Sequence, residues 1–528
     1  MASAKHPGLD PGGDHPAPWA RPATALVADL ASGALSAADA VDAHIARIEA
    51  VDGALNAVVW RRFEAARAEA AEADRRRRAG EPLGPLHGLP ITIKESFDLA
   101  GSPATFGVVS RQGHVAADDD RYVAALRRAG AIVLGKTNVS QLLLYIESDN
   151  PLYGMTRNPW DLERTPGGSS GGQAAIVAAG GSALGLGNDI GGSVRLPAAF
   201  CGIAGFKPTA DRMPDHGRGS MSLGQQAIRS QVGVHGRRVA DVALGMRIAS
   251  GGDAPQDGLV PLGDPGAVDV AGLQIGWYAD DELFPPSPAV RRAVTEAADA
   301  LARRGARITA WRPPDLAQAE ALFFGVLGAD RFELGRAVLG RSPRDPRIKL
   351  LEDAARQPRA LVDLVLRVTG RRRARTVAHN FGPYDTASYW RRVEALLDYR
   401  ARVLAALGEL DAVLSPPSPL PALRHGAAAE VSVMGTYNSI YNVLGWPAGV
   451  VPWTRVRAGE ESDRPASKDP CFVAARRTEI GAAGLPIGVQ VAARPWHDHV
   501  ALAVMAALER EADARPDTPR TPIAPGGA

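Results

Sequence analysis

The period of apolar positions changes several times along the chain, and each change predicts an element. From Ser36 the run "SAADAVDAHIARIEAVD" opens on a hydroxyl that can accept from the first free amides of a helix, and its apolar residues recur at helical spacing. A second, densely charged helix is expected over 61–79. In "GLPITIKESFD" the period drops to two, since Ile91 and Ile93 alternate with Thr92 and Lys94 as in a strand. A helix near 121–129 leads into the apolar strand "AIVLGKTN". The alternation continues through the strand "LQIGWYA", a helix around 289–304 and the strand "DAVLSPP". Strands alternating with helices predict an α/β fold, with a large mixed, twisted β-sheet covered by helices on both faces. No internal repeat is found.

Two kinds of segment stand apart. Residues 350–396 are rich in helical pattern, with "LVDLVLRVTG" followed directly by "RRRAR". That juxtaposition fits either a solvated helix pair with basic flanks or a helical cap insertion that leans on an anionic membrane surface. Residues 165–188 and 431–454 carry no charge and are long enough for a membrane span. Their Gly, Ser, Asn and Pro content points instead to turns and a buried active-site floor. Segments 1–20 and 513–528 are rich in Pro and Gly and are expected to be loose tails, leaving 21–512 as one domain. No apolar signal-peptide core precedes residue 20, so secretion is not expected.

Composition narrows the class. A chain of 528 residues can hold one large α/β core, and 45% apolar with 22% charged residues is ordinary for a globular protein. A net charge of +2 gives no argument for nucleic acid. The "RRRR" at 75–78 reads as a solvated helix end, where cations favour the C-terminal dipole. Cys201 and Cys471 form neither a disulfide framework nor a zinc motif, so a reducing cytoplasm is expected. Histidines and cysteines lack metal-ligand spacing, and the glycine runs lack phosphate-loop or dinucleotide context. No metal and no cofactor are expected.

The chemistry concentrates around serines. "RTPGGSSGG", 164–172, fits the nucleophile-elbow pattern on both Ser169 and Ser170, but an elbow needs an apolar strand before it. The preceding "DLERTP" is charged and ends in proline. Downstream, in "GLGNDIGGSVRLP", Ser193 follows the strand-like "SALGLGNDI" and two glycines. Without side chains there, successive amides can converge, so the N–H groups of Ile190, Gly191, Gly192 and Ser193 are candidate oxyanion donors. Ser193 is therefore better placed than Ser169 to attack a carbonyl.

A serine hydroxyl needs a base. No histidine lies in a motif around either serine cluster. His87, in the loop before "PITIK", reads as structural. Lys94 is more informative, because a lysine on an apolar strand must be neutralised or paired. Bringing its pKa from about 10.4 to about 7 takes roughly 4–5 kcal/mol of differential solvation, which burial can supply. An ion pair with Glu95 is disfavoured, since adjacent strand residues face opposite ways.

Lys94, the "GGSSGG" run at 167–172 and "DIGGSVRLPAAFCGIAGFKPT" at 189–209 together resemble the amidase signature family. The resemblance implies the amidase signature fold and a Ser–cis-Ser–Lys triad. In it Ser193 is the nucleophile, Ser169 shuttles the proton between Ser193 and Lys94, and Ser170 supports by hydrogen bonding. Asp189 and Arg195 flank the amide nest and are expected to hold it by an internal ion pair. Segments 137–160, 436–452 and 484–502 are similar to the fatty acid amide hydrolase branch of the family. Block 350–396 falls at the position of that branch's membrane-binding cap, and the N-terminal membrane span of a member of that branch has no counterpart here. The carbonyl of Leu143 corresponds to a position beside the catalytic serines. Gly435 and Ser439 correspond to channel-lining apolar positions and are smaller or more polar, which bears on long acyl chains.

The implied activity is a serine amidohydrolase that cleaves fatty acyl or aryl amides to acid plus ammonia or amine through an acyl-enzyme. Alternatives are a broad small-amide or ester hydrolase, an amidotransferase A-type subunit that needs partner subunits, and a non-catalytic binding scaffold. The expected partner is a small-molecule amide, with no nucleic acid; peripheral membrane contact and a homodimer are left open.

Overall fold

Short apolar runs become strands here because both of their faces are covered. The computed structural model describes residues 16–214, 224–251, 260–431 and 434–526. Its strands are β1 (Val58–Arg61), β2 (Pro90–Lys94), β3 (Ile132–Thr137), β4 (Leu184–Asp189), β5 (Ala204–Lys207) and β6 (Gln231–Gly236). They continue with β7 (Gln274–Trp277), β8 (Arg307–Ala310), β9 (Ala412–Ser415), β10 (Ala448–Arg455) and β11 (Pro486–Ala493). All eleven join one sheet in the order β1-β3-β2-β4-β6-β5-β10-β11-β9-β7-β8. β2 runs parallel to both β3 and β4, and β7 runs parallel to β8 and β9, while the centre of the sheet is antiparallel. This is the open, mixed α/β sheet that the alternating pattern predicts.

The period-two pattern of "PITIK" does not separate core from solvent, because every residue of β2 is buried. It separates two interiors. Thr92 accepts from Gln173 Nε2 at 2.6 Å, so the face shared by Thr92 and Lys94 looks onto helix Gly171–Ala178. Elsewhere the expected elements form close to their sequence bounds. Helix Ala37–Leu55 is capped by Ser36 Oγ, which accepts from the Asp39 amide at 3.0 Å. Helix Arg121–Arg128 connects β2 to β3 as a parallel crossover. The charged helix is Phe63–Arg78; in its last turn Arg75 and Arg76 make exposed ion pairs with Glu72 and Glu81.

The main core follows the sheet, with a second cluster between helices Leu316–Leu327 and Thr386–Leu407. A third, small cluster joins Phe106 and Leu142 to Leu339 and Ile348.

Two expectations about the chain ends change. Residues 514–526 are not a loose tail. The Ile523 amide donates to the Ala178 carbonyl at 2.9 Å, Gly526 N donates to Pro159 O at 2.8 Å, and the side chains of Thr518 and Ile523 are buried. A proline-rich segment can dock in this way because few residues have to be ordered to bury one isoleucine. Of the expected N-terminal tail, residues 1–15 lie outside the described residues, while Pro18–Ala20 form a helical turn with Trp19 under the Arg47 guanidinium. The expected cap block 350–396 lies within a longer run of helices. That run comprises helices Glu333–Leu339, Pro346–Arg356, Arg359–Val368, Arg372–Ala378 and Thr386–Leu407. No helix among the described residues is long and apolar enough to cross a membrane.

Candidate active site

β2 and β4 are parallel neighbours, so their C-terminal ends open side by side. Lys94 ends β2, and Asn188 with Asp189 ends β4. Such a crevice at the carboxyl ends of strands is where open α/β sheets place their chemistry. Helix Gly171–Ala178 packs beneath it, and the turn entering that helix carries Ser169 and Ser170.

Lys94 Nζ lies 2.7 Å from Ser169 Oγ and 2.5 Å from Asn188 Oδ1, and Lys94 and Ser169 are both buried. The Gly168–Ser169 peptide is cis. The glycines around the serines are required by close approach of other backbone. A Cβ on Gly168 would stand 2.8 Å from the Glu147 amide, and one on Gly172 would stand 2.5 Å from the Asn138 amide. Ser148 Oγ secures the turn by accepting from Gly171 N at 2.8 Å and donating to Gly167 O at 3.1 Å. Residues 161–170 contain no strand, in keeping with the failure of the elbow reading.

The segment bearing Ser193 lies against this turn, since Ser170 N donates to the Ser193 carbonyl at 3.3 Å. Ser193 itself is half-buried. Ser170 Oγ is 3.5 Å from the Asn188 carbonyl. Gly192 has φ +111°, and a Cβ there would strike the Asn438 side chain at 2.5 Å. Asp189 organises the loop: its carboxylate accepts from Gly192 N at 2.7 Å, Val194 N at 3.1 Å and Arg195 N at 3.4 Å. The Gly192 amide, one of four expected oxyanion donors, is therefore engaged by Asp189.

Arg195 closes the loop from the other side. Its guanidinium pairs with Asp189 at 3.0 Å, both side chains having no exposure, and donates to Asn442 Oδ1, Gln490 Oε1 and the Asn438 carbonyl. Burial opposes ionisation of Asp189, yet Arg195, Lys207 and Asn442 hold its carboxyl well below the usual carboxylate range. The pair is thus a charged, fully bonded support for the nest.

The histidines and acids sort clearly. His87 precedes the opposite, N-terminal end of β2. His235, on β6, belongs to no motif; its Nε2–H donates to Val194 O at 2.9 Å, and burial lowers its pKa to about 4, so it is neutral. Glu95 turns to the other face of β2, accepting from Thr105 N and Oγ1 at 2.6 Å and from Phe106 N at 2.9 Å. Lys136 lies on that side as well, bonded to Ser102 and Pro103.

The expected substrate-contact residues are distributed differently. Leu143 lies in a left-handed turn with φ +59°, flanked by Leu142 at +57° and Tyr145 at +65°, and this turn leads into the segment against Gly168. Gly435 has φ +88°, and a Cβ there would collide with Asp281 Oδ2, so a buried carboxylate accounts for its glycine. Ser439 Oγ bonds the Thr436 carbonyl at 3.4 Å, one residue beyond Asn438, which touches the nest. Sequence reasoning missed Asn188, Asn438, Asn442 and Gln490. Only Asn188 had a local signal, since strand alternation sends it and Asp189 to opposite faces.

A family model described as Amidase matches residues 39–502 of this chain. The chain is 34% identical over 443 residues to fatty-acid amide hydrolase 1 of Sus scrofa, covering 81% of this chain and 76% of that relative. It is 31% identical over 514 residues to the A-type subunit of a glutamyl-tRNA(Gln) amidotransferase from Roseiflexus sp. (strain RS-1), covering 94% and 97%. Among solved structures, a fatty acid amide hydrolase superposes with a TM-score of 0.77 at 25% identity, over 93% of this chain and 85% of that one.

Proposed function

The chain belongs to the amidase family of amide-bond hydrolases, and from that membership we propose that it cleaves fatty acyl or aryl amides through an acyl-enzyme on Ser193. The observation that carries the reading is the buried contact of Lys94 Nζ with Ser169 Oγ, beside the segment that bears Ser193. In this reading neutral Lys94 takes the Ser169 proton while Ser169 takes that of Ser193, and Ser193 Oγ bonds to the substrate carbonyl carbon. The oxyanion is met by the amides of Ile190, Gly191 and Ser193, with Gly192 locked to Asp189 as part of the frame. The relay then returns a proton to the leaving nitrogen, and the C–N bond breaks. An amide depends on this step more than an ester does, because an amine anion is a poor leaving group. Water, deprotonated through the same relay, hydrolyses the acyl-enzyme and restores the Ser193 hydroxyl.

The preference for fatty amides is supported by the cap. Helix Arg359–Val368 buries none of its residues, and Leu361, Leu364, Val365 and Val368 are exposed. Beside it a surface cleft of about 800 Å³ is lined by Arg367 and Arg372, and by Arg375 and His379, which both pair with Asp363. Apolar side chains next to cations suit an anionic lipid surface reached from the cytoplasm.

The test is a panel of amides from acetamide to stearamide, with aryl acylamides, on the purified chain alone, and a fluorophosphonate probe to mark the nucleophile. Labelling at Ser193 and rates that rise with chain length are expected. Equal or falling rates defeat the fatty-amide preference and leave a broad small-amide hydrolase. Turnover that appears only with two copurifying subunits favours the amidotransferase reading that the Roseiflexus relative raises.

A further inference from the structure

Lys94 Nζ has a second close contact that the three-residue relay does not use. Asn188 Oδ1 stands 2.5 Å from it, while Asn188 Nδ2 reaches Ser96 Oγ at 3.4 Å. The two ends of the amide are therefore distinguished: its oxygen faces the amine and its nitrogen faces a hydroxyl. Asn188 is buried on β4, and the parallel pairing of β4 with β2 fixes its place beside Lys94.

A neutral amine has two N–H donors and one lone pair. For Nζ to receive the Ser169 proton, the lone pair must face Ser169 Oγ, and an N–H is best directed to an acceptor elsewhere. A side-chain carbonyl supplies that acceptor without a formal charge. A carboxylate in its place would favour the ammonium form and remove the base. We infer that Asn188 is a positioning residue for the base, its uncharged oxygen holding Lys94 with the lone pair toward Ser169 and leaving the amine free to take a proton. This rests on the relay reading of Lys94 given above.

The charges around Lys94 are matched among themselves. On β2, Glu95 turns to the opposite face, toward Thr105 and Phe106, and on β3 Lys136 points to Ser102 and Pro103. On β4, Asp189 is bound to Arg195, and on β6, His235 is neutral and bonded to Val194. Helix Gly171–Ala178 presents Gln173 to Thr92, and from the turn after Leu143 Glu147 is held by Arg347 and by the amides of Gly426 and Ala428. The identity of residue 188 therefore acts on Lys94 directly and at contact distance.

Asn188→Asp changes one atom of the amide and adds a charge. The readout is kcat/KM against pH for a short, soluble amide, with the rate of fluorophosphonate labelling as a second measure. The expected result is an upward displacement of the acid limb by about 1–2 pH units, the range an adjacent opposite charge produces. Near neutral pH this is a loss of about 10–100-fold that is recovered in alkali. Asn188→Ser, which keeps a neutral acceptor, is expected to retain the parent midpoint. Asn188→Leu is expected to lower kcat by about tenfold or more, the scale of one lost hydrogen bond, with little change in KM. A parent-like profile for Asn188→Asp overturns the inference. So does a parent-like kcat for Asn188→Leu, which decides the matter if the Asp variant does not fold. Lys94→Ala separates the premises. Full activity in that variant sinks the relay itself, whereas an inactive Lys94→Ala beside a parent-like Asn188→Asp sinks only the role of Asn188.

Discussion

Between β2 and β4 charged and polar side chains are buried and bonded in definite geometry, whereas along helix Arg359–Val368 no side chain is buried and four aliphatic ones face outward. The first arrangement takes the cost of desolvating Asp189 and Arg195 and offsets it with bonds to amides, Asn442 and Gln490, which gives a rigid frame. The second packs only Val362 and Leu366 partly against its neighbours, so its other apolar side chains are available for contact outside the fold. The rigid frame between β2 and β4 and the open apolar face of helix Arg359–Val368 are thus opposite uses of burial. The two regions meet at Arg347. Its guanidinium pairs with Asp345 and Asp149 as well as Glu147, while Tyr145 OH donates to the Arg347 carbonyl. Helix Pro346–Arg356 is thereby clasped to the turn whose backbone abuts Gly168.

The widest separation is expected from variants placed one in each region. Ser193→Ala should remove probe labelling and reduce amide turnover by about 10⁴–10⁶-fold, as loss of a nucleophile does. Leu364→Ser combined with Val368→Ser should leave turnover of a short soluble amide at the parent rate. A comparable loss in the cap variant would erase the distinction between floor and cap. A smaller effect probes the clasp. Arg347→Met leaves three carboxylates without their cation, and breaking a buried pair costs about 3–5 kcal/mol. A fall in Tm is expected together with a fall in kcat, because the displaced turn bears on the serines. Unchanged kcat at a lowered Tm would mean that the clasp stabilises without positioning. The smallest effect lies at the cap surface. The parent should sediment with anionic vesicles at low salt and be released as salt rises, at about 1 kcal/mol per basic residue near the surface. The double cap variant should sediment less, and a parent that stays in solution at low salt ends the membrane role of the cap.

Much of the architecture was legible because it is local. Ser36 with its apolar repeat specifies a capped helix, and "PITIK", "IVLGKT" and "LGLGND" are short apolar runs that form strands where both faces are covered. That Lys94 needs a polar partner was legible from residue type, as a lysine in an apolar strand must be neutralised or paired; that the partner is Ser169 came only from the family resemblance. Other features were not. The neighbour of Gly435 was not legible, because Asp281, which a Cβ there would meet, lies far away in sequence. The proline-rich C-terminal segment looked loose because its composition does not reveal that Ala178 and Pro159 wait to receive its amides.

By itself the amino-acid sequence determined the alternation of strands and helices, the glycines that admit close backbone approach, and the lysine and serines able to carry acyl-transfer chemistry. The tertiary structure alone decided that the Gly192 amide faces Asp189, that Asn188 looks at Lys94, and that Arg347 ties helix Pro346–Arg356 to Glu147. The reason is physical. Periodicity and residue type act over a few residues of backbone, but a hydrogen-bond partner is set by strand order and by which groups share one buried volume.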